Sequence, residues 1–310
     1  MTITSVGLWP HTGKPAAMEL AAVLSQRLRA RGVAVWLCHE EMSPHTDARS
    51  GGTKQGQQRL EEAVPQTTGI CRPEQLGQHV QLLIVLGGDG ALLAAARAVA
   101  ATGLPVLGVN VGHLGFLTEL EAAEAVEEAT WDRLLRGEFE LDPRLMLAAE
   151  VRRAGTVVAR HIALNDVVIT RTTFARMIHL ETYVAGEPVV RFLADGMIVA
   201  TPTGSTAYSL SAGGPIVSPR VEAILVTPIC PHTLATRSIL VPPGEEVHIG
   251  LQARAEGVML TVDGQIGTEL QSGDRVVVEV APYRAQLVRL RRRSFYSLLS
   301  SRLQRGQGEW

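Results

Sequence analysis

Four residues in a row, Gly87-Gly88-Asp89-Gly90, are the ones best suited by type and spacing to do chemistry. They follow an apolar run, Leu82 to Leu86, and precede an alanine-rich stretch, Ala91 to Ala101. Paired glycines let backbone approach a phosphate closely. A helix starting there aims unpaired N–H groups at anionic oxygens, and a carboxylate at the tip can accept a proton. The same tetrapeptide also suits a tight strand-to-helix turn in which Asp89 caps the helix.

A second group begins at Ala194-Asp195-Gly196 and runs through Met197 to Ala200 into Thr201-Pro202-Thr203-Gly204-Ser205-Thr206-Ala207-Tyr208-Ser209-Leu210-Ser211-Ala212-Gly213-Gly214-Pro215. Hydroxyls and bared N–H groups suit an oxygen-rich ligand, Tyr208 offers a stacking face and a phenol, and Asp195 can accept from ribose hydroxyls. A nucleotide meets all of these. A Ser/Thr-rich connection that caps its own turns has the same composition. Asn165-Asp166, just before Val167 to Thr170, suits an adenine edge or a ribose, or an Asx turn. Asp263-Gly264-Gln265 reads as a hairpin turn after Val258 to Val262. The familiar phosphate loops do not fit. Gly7 to Gly13 has the wrong spacing for a Walker loop, with Pro15 after Lys14, and Gly7-Leu8-Trp9-Pro10-His11 is no dinucleotide fingerprint.

The elements around these residues fall into two patterns. Ile3 to Leu8 (strand), Ala16 to Arg31 (helix, closed by Gly32), Val33 to Cys38 (strand), Leu82 to Leu86 (strand), Ala91 to Ala101 (helix) and Pro105 to Val109 (strand) give a βαβ rhythm. That rhythm predicts an α/β, Rossmann-like domain with a parallel sheet over residues 1–125. Residues 43–68, rich in Gly, Gln, Ser and Thr, read as a surface loop. Beyond the acidic helical stretch to Leu135 the period changes to alternation. Strand candidates are Leu145 to Val151, Thr156 to Leu164, Val167 to Thr170, Met177 to Val184, Val189 to Leu193, Met197 to Ala200, Val247 to Leu251, Val258 to Val262 and Val276 to Val280. They predict an all-β, sandwich-like domain over 126–281, with 282–310 returning to the first domain as a helix from Ser294 to Leu303.

Composition narrows the partners. A chain of 310 residues suits two domains, and 29 Lys plus Arg against 31 Asp plus Glu leaves a net charge of −2. No basic excess favours nucleic acid or an anionic membrane, and Arg289 to Arg293 reads as a solvated face. Three scattered cysteines, Cys38, Cys71 and Cys230, argue against a disulfide framework or zinc site and for a reducing cytoplasm. No apolar run approaches a membrane span.

Taken together, the motifs resemble the NAD kinase family. The resemblance runs through Gly87 to Gly90, Gly108-Val109-Asn110-Val111-Gly112-His113-Leu114-Gly115-Phe116-Leu117-Thr118, Asn165-Asp166, Asp195-Gly196, Thr201 to Pro215, Pro228 to Leu234 and Asp263 to Gln265, in the family's order. The glycine turn is shared with phosphofructokinases and with lipid kinases. The Thr-Pro-Thr-Gly-Ser-Thr-Ala-Tyr run separates them.

What the resemblance implies is transfer of the γ-phosphate of ATP, with a divalent cation such as magnesium, to the 2′-hydroxyl of the adenosine ribose of NAD, giving NADP. Asp89 would be the general base, and Gly87 and Gly88 the phosphate-donor loop. Gly90, Asn165, Asp166, Arg176, Asp195, Thr206, Ala207, Tyr208, Ser209, Leu210, Ser211 and Gln265 would contact NAD. In this family the ligand bridges subunits, which makes Asp195 and Cys230 residues for a neighbour's ligand and the active form a homodimer or tetramer. Two positions depart from the pattern: Ala91 stands where many members have Thr, and Leu193 where some have Arg. No compact carboxylate cluster identifies ligands for the metal. A lipid or sugar kinase sharing the glycine turn, and a non-catalytic dinucleotide-binding regulator, are the alternatives.

Overall fold

In the computed structural model, which describes residues 2–38, 62–64, 67–112, 115–172, 177–232, 237–252, 257–291 and 294–305, contacts divide the chain into two units. One comprises residues 1–143 with 285–310, the other residues 144–284. Most of the 43–68 loop and Arg176 lie outside the described residues.

The first unit is built on strands that bury almost every residue. β1 (Ser5–Pro10) and β4 (Leu82–Gly87) are continuous apolar runs, as parallel strands covered on both faces require. With them stand β2 (Ala34–Leu37), β3 (Gly69–Ile70), β5 (Pro105–Asn110), β6 (Leu120–Glu121), β7 (Glu140–Arg144) and the last strand of the chain, β20 (Ala285–Arg289). The order is β3-β2-β1-β4-β5-β20-β7, with β6 beside β5. Strand β1 pairs in parallel with both β2 and β4, so the strand order reverses between β1 and β4. In open parallel sheets the crevice beyond the carboxyl ends at that point receives ligands.

Helix α1 (Pro15–Ala30) starts on proline and buries Ala17, Leu20, Ala21, Leu24 and Leu28, one face of a 3.6-residue repeat. Helix α2 (Asp89–Val99) lays Ala91, Leu92, Ala95, Ala96 and Val99 inward, small side chains that allow a close approach to the sheet. Helix α3 (Glu128–Leu135) packs Trp131 and Leu134 into the same core as β1 and β4. The sequence closed this domain at residue 125; the burial of that helix carries the first unit on to residue 143.

The return of the chain is made by a strand as well as a helix. Strand β20 adds in parallel to β5, pairing Gln286 with Pro105 and Leu287 with Val106. Its end is fixed by Glu119, 2% exposed, which accepts the N–H groups of Leu290 and Arg291, both at 3.0 Å, and pairs with Arg289 at 3.3 Å. Arg289 also reaches Asp142 at 3.0 Å, and Arg291 pairs with Glu124. The basic stretch is therefore ion-paired at these two positions instead of solvated, since a buried carboxylate needs a cation and donors beside it. Helix α4 (Phe295–Arg305) follows, with Phe295, Leu298 and Leu299 half-buried.

The second unit is a sandwich of two antiparallel sheets, each of six strands. In chain order the strands are β8 (Leu147–Arg153), β9 (Thr156–Ala163), β10 (Asp166–Arg171), β11 (Ile178–Val184), β12 (Glu187–Ala194), β13 (Gly196–Ala200), β14 (Ile224–Ile229), β15 (Ile239–Val241), β16 (Val247–Leu251), β17 (Val258–Val262), β18 (Ile266–Leu270) and β19 (Arg275–Val280). One sheet runs β15-β14-β13-β10-β17-β18, the other β12-β11-β16-β19-β8-β9. Alternate residues of both, among them Val167, Ile169, Val199 and Leu260 facing Leu147, Leu180 and Ile249, form one core. The outer face of the first sheet is apolar as well: Val168, Ile198, Ala200 and Leu225 pack with Val217 and Ala212 from the segment after β13. That is why the Ser/Thr/Gly run lies against β13. No helix among the described residues is long and apolar enough to cross a membrane.

Candidate functional site

The glycine turn sits at the carboxyl end of β4, next to the reversal of strand order. Gly87 ends the strand, and its carbonyl accepts the N–H of Val111 at 2.9 Å. Gly88 is the extended N-cap residue of α2, and Asp89 and Gly90 open the helix. Asp89 does not cap its own helix. Its carboxylate instead accepts the N–H groups of Phe116 (2.7 Å), Leu117 (3.1 Å) and Thr118 (3.4 Å). A carboxylate has about four acceptor sites, so these three bonds fix its orientation and leave room for one more donor. Asp89 is half-buried and Gly90 exposed, which keeps the open side of the turn accessible.

Gly115 is what lets that loop come so close. A Cβ at this position would stand 1.8 Å from Oδ1 of Asp89 and 2.3 Å from its Cγ. The sequence marked Gly115 to Thr118 only as part of a family motif; its work as the cradle of Asp89 joins residues 27 to 29 positions apart. Lys14 is a further residue that sequence reasoning passed over. It was read only against a Walker loop, yet it precedes α1 in the connection after β1 and donates from Nζ to the Val111 carbonyl at 3.1 Å. A cation thus stands at the same sheet edge as the glycine turn.

In the second unit, three segments distant in sequence meet at the start of β10. Asp263, in the turn between β17 and β18, accepts N–H groups from Leu164 (3.1 Å), Asn165 (2.7 Å) and Asp166 (3.1 Å). From the other side Thr201 donates its N–H to the Asn165 carbonyl (2.8 Å) and its hydroxyl to the Leu164 carbonyl (2.6 Å). Gly204 presses on the same peptide, where a Cβ would meet the Asn165 carbonyl oxygen at 2.1 Å. The backbone of Asn165 is therefore fully engaged, while its side-chain Oδ1 is buried and accepts no hydrogen bond among the described residues. An acceptor left bare in a buried place costs about 1–3 kcal/mol and is satisfied by an incoming N–H donor. Burial, and then the neighbouring Asp263, push the Asp166 carboxyl up to about 7.

The hydroxylated run divides into structural and outward-facing members. The Thr201, Ser205 and Ser209 side chains are wholly buried, with Ser205 Oγ 2.7 Å from the Pro202 carbonyl and Ser209 Oγ 3.2 Å from Thr227 Oγ1. For Thr201, which accepts the Gly204 N–H, and for Ser205, the reading of side chains that cap their own turns describes the hydroxyls; Ser209 reaches strand β14 instead. Thr206, Ala207 and Leu210 are half-buried, and Tyr208 and Ser211 are exposed around the helical turn Tyr208–Ser211. Gln265 is exposed on the hairpin turn beside Asp263.

Asp195 and Cys230 are placed elsewhere. Asp195 pairs with Arg171 at 2.6 Å, and its N–H donates to the Ile229 carbonyl next to the exposed Cys230. They sit at the Gly196 end of β13, whereas Thr201 and Asn165 sit at its Ala200 end. Six residues of extended chain from Asp195 to Thr201 span about 20 Å. A single copy of this unit therefore does not bring Asp195 and Cys230 to the Asn165-Asp166 site. Leu193 gives its carbonyl to the His232 N–H, and Arg191 pairs with Glu181 on the neighbouring strand, as a solvated strand charge does. Among the described residues no group of three or more His, Cys, Asp or Glu stands ready to hold a metal ion.

Comparison with known proteins agrees along the whole chain. Residues 6–139 match the ATP-NAD kinase N-terminal domain and residues 164–290 the ATP-NAD kinase C-terminal domain. The NAD kinase of Symbiobacterium thermophilum is 47% identical over 290 residues, covering 94% of this chain and 95% of its own. That of Geobacter sulfurreducens is 45% identical over 302 residues, covering 97% and 99%. Among solved structures, yeast NADH kinase complexed with NADH superposes with a TM-score of 0.81 at 27% identity, covering 100% of this chain and 90% of the other. An NAD kinase from Archaeoglobus fulgidus in complex with ATP shares the fold, with a TM-score of 0.62 at 20% identity, covering 97% and 98%. With both domains matched in order around the glycine turn and the Asn165-Asp166 site, the chain belongs to the NAD kinase family, as an ATP-dependent kinase.

Proposed function

We propose that this NAD kinase transfers the γ-phosphate of ATP to the 2′-hydroxyl of the adenosine ribose of NAD, with Asp89 taking the hydroxyl proton. The observation that carries the assignment is the Asp89 carboxylate. It is turned away from its own helix and aimed by three backbone N–H groups at the carboxyl edge of the sheet, beside a glycine turn that can approach phosphate. Phosphoryl transfer asks little covalent chemistry of a protein; it asks for alignment and charge neutralisation. The N–H groups of Gly88 and Gly90 and the Lys14 ammonium supply positive potential for the donor's phosphates. Magnesium would accompany ATP as its counter-ion, part of the substrate.

The second unit supplies acceptor recognition in this reading. The bare Asn165 Oδ1 takes an amino N–H of adenine, Asp166 lies beside it, and Thr206, Tyr208 and Ser211 face outward along the adjoining turn. Gly90, Ala207, Ser209, Leu210 and Gln265 complete the NAD contacts, Ser209 through its backbone. Arg176, assigned with them on the family pattern, lies outside the described residues. Asp195 and Cys230, at the far end of β13, serve the site of a neighbouring subunit, so the working form is a homo-oligomer. Free cysteines and the absence of charge bias suit a cytoplasmic enzyme.

Nothing in the relatives found favours a lipid or sugar kinase or a non-catalytic regulator. The test is a matrix of acceptors, NAD, a diacylglycerol and a hexose phosphate, each incubated with purified protein, ATP and magnesium. Phosphate appearing on NAD alone, at the 2′ position, is the expected result; no NADP from an intact oligomer rejects the assignment.

A further inference from the structure

We infer that Asp263 is a positioning residue for the acceptor's base. From the β17–β18 turn its carboxylate fixes the 164–166 backbone so that the Asn165 amide and the Asp166 side chain present one orientation to adenine. The inference rests on the reading of the chain as an NAD kinase with adenine at Asn165-Asp166.

The turn itself does not need an aspartate. Three hairpins of the second unit turn through a left-handed pair, Ala154-Gly155 with φ of 48° and 82°, Ala185-Gly186 with 50° and 83°, and Asp263-Gly264 with 49° and 67°; the third adds Gln265 before its strands pair again. The left-handed first residue is alanine in two of them, so the backbone shape is available without a carboxylate. What distinguishes the third turn is the use of its side chain. Asp263, 9% exposed, ties down three successive N–H groups 97 to 99 positions earlier in the chain, and its own N–H donates to the Asp166 carbonyl at 3.0 Å. On the opposite flank Thr201 and Gly204 close on the carbonyls of Leu164 and Asn165. Both backbone groups of Asn165 are thereby engaged, and its side-chain Oδ1 is left buried without a hydrogen bond among the described residues.

Asp263 also acts on the proton state of its neighbour. Strands β13 and β17, which flank Asp166, carry no titratable side chain between Gly196 and Ala200 or between Val258 and Val262, and neither does the 201–206 segment. The cation reaching that segment is Arg144, which donates to Thr203 Oγ1 at 3.2 Å. Asp263 is the charged group that adds to burial in raising Asp166 to about 7. Removing its charge lowers that value, because a like charge disfavours the ionised form.

Steady-state kinetics of NADP formation across pH 6 to 8 tests this with two variants. Asp263→Ala keeps the turn, as alanine does at 154 and 185, and is expected to raise KM for NAD about tenfold while kcat and KM for ATP stay within about twofold. Asp263→Asn retains an acceptor oxygen for the Asn165 and Asp166 N–H groups and rescues most of that loss. In both, the inflection in KM for NAD expected near pH 7 for wild type moves to lower pH. A folded Asp263→Ala with wild-type KM for NAD overturns the inference, as does a fall in kcat with both KM values unchanged, which marks lost folded protein only. Should neither variant fold, a wild-type KM for NAD that is flat between pH 6 and 8 overturns it as well. Failure of the parent reading looks different: wild type then makes no NADP at all.

Discussion

Two carboxylates in this chain make the same set of bonds and are left with different surroundings. Asp89 accepts the N–H groups of Phe116, Leu117 and Thr118; Asp263 accepts those of Leu164, Asn165 and Asp166. Each thereby pins a loop to the end of a strand. Asp89 stands half-buried at the head of a helix, at the same sheet edge as Lys14, and its side chain stays open to another donor. Asp263 is buried in a hairpin turn beside a second carboxyl that burial pushes up to about 7. The bonds alone therefore do not mark a catalytic group. In the proposed reading, what sets Asp89 apart is its open side and its place at the head of a helix.

The contrast is broken or sharpened by variants that remove one carboxylate's contribution at a time. The largest effect belongs to Asp89→Asn: kcat should fall by about 10²- to 10⁴-fold with both KM values close to wild type, in steady-state assays of NADP formation. Gly115→Ala comes next. Its methyl group overlaps the place of Asp89 Oδ1, so the carboxylate is displaced by about an ångström and kcat drops roughly a hundredfold without a matching loss of folded protein by circular dichroism. Lys14→Met should raise KM for ATP about fivefold and leave KM for NAD unchanged, the loss of one charge-assisted contact to phosphate.

The smallest effect is one of stability. Folded Asp166 keeps its proton up to about pH 7, whereas its ordinary value is 3.8, so between these values the native chain binds more protons than the unfolded one. Stability then declines as pH rises through that window and levels off above it. Asp166→Asn removes this slope. Its melting temperature should gain on wild type from pH 5 to pH 8, measured by calorimetry, while KM for NAD worsens.

Much of this was legible in the residues, for reasons that also explain what was not. Long apolar runs such as Leu82 to Leu86, and alternating ones such as Val258 to Val262, announce strands because burial on two faces or one leaves a periodic mark. Strand β20 left none: Ala285 to Arg289 is short and ends in an arginine, and the partner that accommodates it, Glu119, lies about 170 positions away in sequence. Strand β14 contains Pro228, which reads as a break, yet it pairs with β13 throughout. At the site, residue type pointed to Gly87 to Gly90 as a place for chemistry, and left Asn165-Asp166 open between a ligand contact and an Asx turn until the family resemblance was drawn. The roles of Gly115 and Asp263 did not. A glycine in a motif and an aspartate in a turn look ordinary until the fold brings them against Asp89 and Asn165.

The central claim is that turnover and grip on the acceptor reside in separate carboxylates, and kinetics of the double variant Asp89→Asn/Asp263→Ala beside its two parents tests it most directly. The kcat loss of one parent and the KM loss for NAD of the other are expected to combine as a simple product. A double variant in which either loss disappears, or an Asp263→Ala parent that loses kcat as Asp89→Asn does, would contradict it.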